Sequence, residues 1–162
     1  MPGLRLPPEN DYERSVVHNV ETFGWHCTSV LPTDTAPGKP PFSYTVGLHE
    51  SYGGPALIMF GLNSTTAHSI LGLCANRLAD GNPLSLSKPS HDLIEGYPCI
   101  FVEVPRHLYN DYVYSLLWFY AEQEFPLYQV VWPDANGCFP WHAAASASLK
   151  ALQPVLGNYN DV

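Results

Sequence analysis

Charge is scarce in this chain. Asp, Glu, Lys and Arg make up 14% of its 162 residues, against roughly a quarter in an average soluble domain. Cations are the scarcest, with 7 Lys and Arg against 15 Asp and Glu and a formal charge of -8. Nonspecific nucleic-acid binding needs Lys and Arg to displace phosphate counterions, so that class is excluded. A basic protein partner stays compatible. No apolar run approaches the roughly 18 residues that a membrane span requires, so no membrane role is expected. The four cysteines, Cys27, Cys74, Cys99 and Cys138, are far apart and form no Cys-x-x-Cys pair, so neither a disulfide framework nor an extracellular home is expected. Met1 to Pro8 is short and proline-broken and does not read as a signal peptide, which leaves the cytoplasm as the expected location. Catalytic signatures are missing too: there is no Gly-x-Ser-x-Gly elbow, no phosphate-binding glycine loop and no His-Glu-x-x-His helix.

What the chain does hold is apolar and aromatic. Apolar residues make up 46%, aromatics 13%, and there are 16 prolines. That composition implies a filled core with much aromatic packing and many loops. Residues 1–9 read as a flexible polar arm, and residues 10–162 as a single α+β domain. Asn10 or Asp11 caps a first helix with Tyr12, Val16, Val17, Val20 and Phe23 inward, and Gly24 stops it. Trp25 to Leu31 reads as a strand, with Trp25, Cys27 and Ser29 on one face and His26, Thr28 and Val30 on the other. Residues 32–41, with four prolines, form a loop.

A second strand over Phe42–Leu48 puts Tyr44, Val46 and Leu48 on one face and Ser43, Thr45 and Gly47 on the other. A loop follows at 49–54, and then a strand, Ala56–Phe60, buried on both faces. A second helix begins after Asn63 with Ala67, Ile70, Leu71, Cys74 and Leu78 inward. Residues 81–96 read as an irregular flap and 97–104 as a strand. A third helix over about 108–122 packs through Leu116, Leu117 and Tyr120. The last strand, Leu127–Trp132, is followed by an Ala/Ser-rich segment and a tail. The expectation is a mixed or mainly antiparallel sheet of about five strands with three helices.

The last strand runs into Trp132-Pro133-Asp134-Ala135-Asn136-Gly137-Cys138-Phe139-Pro140-Trp141. Asp134 can accept from backbone N–H groups two residues on, and Asn136-Gly137 tolerates positive φ, so the segment reads as a hairpin turn. Two indoles and a phenyl ring bracket the carboxylate. One reading makes this the rim of a pocket with Asp134 as its polar handle. The other makes the aromatics core and lets Asp134 cap its own turn.

This run resembles the ending of the bacterial domain-of-unknown-function 4262 family. The resemblance extends to Gln153-Pro154-Val155-Leu156-Gly157, Gly24-Trp25, Phe42-Ser43-Tyr44-Thr45-Val46-Gly47-Leu48, and Gly54-Pro55 leading into Phe60-Gly61-Leu62. It spans about residues 12–157. It implies no reaction, because none is attached to the family.

Candidate site residues follow from the polar positions in these stretches. Asp134 and Tyr44, with His49 or His142 as the titrating group, are the candidate acid–base set. Thr45, Trp132, Trp141 and Trp25 are candidate ligand contacts. These converge if the second strand ends beside the last turn; otherwise Tyr44 and Thr45 satisfy each other or the backbone. A metal cluster of His26, His49 and His142 with Asp134 can be drawn, but no metal and no cofactor is expected. Cys27 and its neighbour His26 point to opposite faces of a strand and form no dyad. Two functions remain. The preferred one is a binding module of immunity or regulatory type, with a protein, a small molecule or a second copy of the chain as partner. The alternative is a small hydrolase-like or tailoring enzyme built on Asp134, Tyr44 and a histidine.

Overall fold

The computed structural model describes residues 7–32, 38–121 and 123–159. The start of the expected N-terminal arm and much of the proline-rich loop lie outside the described residues. The architecture is α+β, with one six-stranded sheet in the order β1-β2-β3-β6-β5-β4. The strands are β1 (His26–Val30), β2 (Phe42–Val46), β3 (Ala56–Phe60), β4 (Ser90–Ile94), β5 (Tyr97–Glu103) and β6 (Leu127–Val131). Only the central β3–β6 pairing is parallel; the rest are antiparallel. The helices are α1 (Asp11–Phe23), α2 (Leu48–Tyr52), α3 (Ser64–Ala79), α4 (Tyr109–Tyr112), α5 (Tyr114–Tyr120) and α6 (Ala147–Leu152).

The sheet separates two cores. On one face Val16 and Val20 of α1 and Leu116, Phe119 and Tyr120 of α5 pack on Tyr44, Val46, Ile58 and Phe60. On the other face α3 lays Ile70, Leu71, Cys74 and Leu78 on Leu57, Met59, Phe101 and Val130. The continuous apolar run of β3 has this cause: alternate residues feed opposite cores. Beside the first core, Ile100, Val102, Val131 and Phe139 gather under the C-terminal segment.

The five expected strands form, and so do the α1 and α3 helices with their caps. Asn10 and Asn63 each accept from a backbone N–H three residues on, at 2.8 Å. The differences are physical. β4 reads poorly because it is an edge strand with shifted register and a mostly solvent-facing Ser-His-Asp start, so it lacks the alternation of a half-buried strand. α2 is five residues between two glycines, Gly47 and Gly53, in left-handed backbone, and glycine on both sides reads as loop. Leu48 therefore leaves the β2 pattern and joins the α3 core. Phe23 is 65% exposed, against its expected inward position.

The expected long third helix is broken. Val113, at φ -111 and ψ 59, separates α4 from α5. The break turns Leu116, Phe119 and Tyr120 inward and leaves Leu117 half-buried at the margin. Leu116, at 0% exposure, is thus the core anchor. Leu116→Ala should cost about 2–5 kcal/mol in urea unfolding and Leu117→Ala distinctly less. Equal losses would mean that the helix phase is wrong.

The Trp132–Trp141 run is not a hairpin among the described residues. Its turn leaves β6, and no strand returns, because both edges of β6 are already taken by β3 and β5. The chain continues instead through α6, and the tail is clasped to the sheet by two buried glutamines. Gln129 donates to the Pro154 carbonyl and accepts from Leu156 N–H, both at 2.8 Å. Gln153 donates to the Trp132 carbonyl at 2.6 Å and accepts from Trp132 N–H at 3.1 Å.

Candidate functional site

The sequence-based site residues do not come together. The parallel β3–β6 register, with Ile58 opposite Gln129, puts the Asp134 turn at the Phe60 end of the sheet. β2 runs antiparallel to β3 and begins there, with Phe42 opposite Phe60. The start of β2, not its end, therefore faces that turn, with β3 between. Tyr44 and Thr45 point into opposite cores. Tyr44 accepts from Ser115 N–H at 3.3 Å, and burial pushes its hydroxyl above the ordinary 10.0. Thr45 accepts from Leu57 N–H at 3.0 Å. Both hydroxyls answer backbone groups, as buried polar atoms must.

Asp134 is turned on its own loop. Its Oδ1 accepts from the N–H groups of Asn136 and Cys138, both at 2.9 Å, and its backbone N–H bonds the Cys138 carbonyl. Asp134→Asn should therefore stay within about 1 kcal/mol of wild type, because an amide oxygen accepts the same bonds. Asp134→Ala, which frees one exposed and one part-buried N–H, should lose about 1–2 kcal/mol. Equal melting temperatures for the two variants would discount the turn bonds. Gly137 has φ +81 and open space at its Cβ position, so Gly137→Val is resisted by backbone strain alone.

The remaining candidates are dispersed. Trp132 donates its indole N–H to the Phe60 carbonyl at 2.8 Å. Trp141 stacks on Phe139, with centroids 5.0 Å apart, and on Tyr159 at 4.4 Å. Phe139 N–H donates to His142 Nδ1 at 3.0 Å. His49 lies at the opposite end of the sheet, edge-on to Tyr120. Among the described residues no group of three or more His, Cys, Asp or Glu could hold a metal ion.

Trp25 lines an open cleft. β1 is the outermost strand, and α1 and α3 flank it on the two faces. Their sides and the open edge of β1 enclose a cleft of about 520 Å³. α1 contributes Asn19 and Phe23, β1 and its approach contribute Trp25, His26 and Cys27, and α3 contributes His68 and Asn76. A smaller hollow of hydroxyl side chains, Ser29, Ser64, Thr65 and Ser69, adjoins it through Cys27 and His68.

Local structure fixes these groups. Gly24 at φ +90 ends α1 and donates its N–H to the Val20 carbonyl, which redirects the chain at Trp25. The indole then stacks on His68 with centroids 5.3 Å apart and lies over Gly72, one turn along α3. A Cβ at Gly72 would meet the indole at an ordinary 3.7 Å. Gly72→Ala should therefore raise stability by about 0.5–1 kcal/mol through helix propensity, read as a higher melting temperature. A fall would mean that the indole needs more room.

Asn19 Nδ2 lies 2.9 Å from His26 Nδ1. The donor there is the amide, so the neutral ring carries its proton on Nε2, a buried atom with no partner among the described residues. Burial first, and then the nearby His68, hold His26 below its ordinary 6.5. An unfolded His26 takes up its proton first as pH falls, so this residue's contribution to stability is present above 6.5 and lost as pH drops through the folded value. His26→Gln should flatten the fall in unfolding midpoint between pH 7 and 5; parallel curves would remove His26 from that role. Cys27 is driven by burial up to about 11, which keeps it a neutral thiol at physiological pH.

Sequence reasoning missed most of this cleft. Cys27 was set aside because its neighbour His26 points away, yet a histidine on its own side comes from α3. Asn19 and Phe23, four apart on α1, share one helix edge, which is the signal that was there to find.

A family model described as Domain of unknown function (DUF4262) matches residues 19–146. No curated protein and no solved structure matches the chain. The chain belongs to the DUF4262 family.

Proposed function

We propose that this member of the DUF4262 family is a binding module whose ligand enters the cleft at the edge of β1. The observation that carries the reading is the lining. Two imidazoles and two carboxamides supply neutral donors and acceptors, and Trp25 and Phe23 supply aromatic walls. Among the described residues no Asp, Glu, Lys or Arg lines the cleft, so the group it suits is neutral, planar and polar. A heteroaromatic ring or the side chain of a protein partner fits that description.

The acid–base alternative needs Asp134, Tyr44 and a histidine on one side of the sheet, and they are not gathered there. Chemistry at Cys27 would need a thiolate, and burial disfavours one. Binding is the better-supported reading.

The test is a ligand-observed NMR screen of neutral heteroaromatics (indole, adenine and nicotinamide), followed by amide-shift mapping. The expected result is millimolar or tighter binding with shifts at residues 19–27, 68 and 76, abolished by Asn76→Leu in a folded variant. If ligands bind elsewhere, or bind Asn76→Leu equally well, the cleft is not the site.

A further inference from the structure

A second cavity lies at the far edge of the sheet, where α3 and residues 84–93 meet β4. Its volume is about 440 Å³. Its chemistry is opposite to that of the first cleft. Arg77, Lys88 and His91 line it, with Asp92 the one carboxylate among the described residues. The chain has only 7 Lys and Arg against 15 Asp and Glu, so two cations on one hollow is a local reversal of the protein's charge. Such a reversal attracts an anion to this place and repels it elsewhere.

The rest of the wall is apolar. Phe101, buried, closes the floor; Leu84 and Leu93 are half-buried; Leu73 is 47% exposed although it sits on α3. Leu73, Leu84, Leu93 and Phe101 together beside a cationic rim suit an occupant with an apolar body and one charged end. Arg77 also shows which anion fits. Its guanidinium already pairs with the Asp92 carboxylate at 3.3 Å, and both side chains are substantially exposed. The planar fork matches a carboxylate, and a half-solvated pair of this kind is weak enough for a ligand carboxylate to replace.

We infer that this cavity binds an organic monocarboxylate, its head between Arg77 and Lys88 and its apolar body against Leu73, Leu84 and Phe101. The site is independent of the cleft at β1.

Decanoate below its micellar range is the probe, read by calorimetry and by amide shifts, with decanol as the neutral counterpart and inorganic phosphate as the anion without a body. Decanoate is expected to shift residues 73–93 and 101 and to bind about tenfold tighter than decanol or phosphate, two exposed pairings at up to about 1 kcal/mol each supplying the margin over decanol. Arg77→Gln with Lys88→Gln, both at exposed positions, should keep the melting temperature and cut decanoate affinity about tenfold while leaving decanol unchanged. Asp92→Asn, which removes the competing carboxylate, should tighten decanoate. Equal affinity for decanoate and decanol, equal affinity for decanoate and phosphate, shifts away from this cavity, or no decanoate binding at about 5 mM would each overturn the inference.

Discussion

Gly47→Ala should destabilise the protein by about 2–6 kcal/mol, because left-handed strain and overpacking each cost about 1–3. Gly47 joins β2 to α2 at φ +102. A Cβ there would stand 2.8 and 2.9 Å from the two γ-methyls of Val20 and 3.3 Å from the Gly24 carbonyl oxygen. Val20 is buried in the core under α1, so its methyls have nowhere to go. The Gly24 oxygen belongs to the turn that aims Trp25 at α3. The substitution therefore strains the fold and the cleft together. Urea unfolding reads the first effect; the amide shifts of Trp25 and His26 read the second. A wild-type midpoint would show that Val20 can move aside and that the two turns are not packed as described.

The sequence shows neither the turn at Gly47 nor its partner. Gly24 after an amphipathic run signals a helix stop, whereas Gly47 reads as part of the Phe42–Leu48 strand and in fact ends it. That these glycines meet across the first core depends on how α1 lies over β2, which no local pattern encodes. Periodicity served well where a segment buries one face against one neighbour. The α3 stripe is one case, and the alternation of Tyr44 and Val46 against Ser43 and Thr45 is another. It served poorly where burial is partial, as in β4, or where the backbone departs from regularity, as at Val113.

The site followed the same division. Asp134 and Gly137 were legible as turn chemistry, because an Asp accepting from the N–H two residues on is a local interaction. The pocket imagined around them needed Tyr44, Thr45 and Trp141 to share a place, and strand order decided otherwise. Alternation alone already put Tyr44 and Thr45 on opposite faces of β2. Trp25 was legible as a candidate contact, but its surroundings come from α1 and α3, elements separated from each other by three strands and a short helix.

The tail supplies the last expected result. Gln153→Ala should lose about 3–6 kcal/mol, since two backbone groups are orphaned at about 1–3 each and a buried side chain is lost. Gln153 is 1% exposed and spans both the N–H and the carbonyl of Trp132, pairing them as a neighbouring strand would. Gln153→Glu is the sharper probe. An ionised carboxylate would set an oxygen against the Trp132 carbonyl, whereas a protonated one can donate to it and still accept from the N–H. Burial and this contact both raise the folded pKa of the new group above the unfolded value of about 4.3. The variant should then hold near wild-type stability below that pH and lose it as pH rises through the folded value. Gln129 secures the same tail through Pro154 and Leu156. Gln129→Ala and Gln153→Ala should therefore combine to less than the sum of their separate losses. A pH-independent Gln153→Glu, or fully additive losses, would mean that the tail is held by its apolar contacts and not by the glutamines.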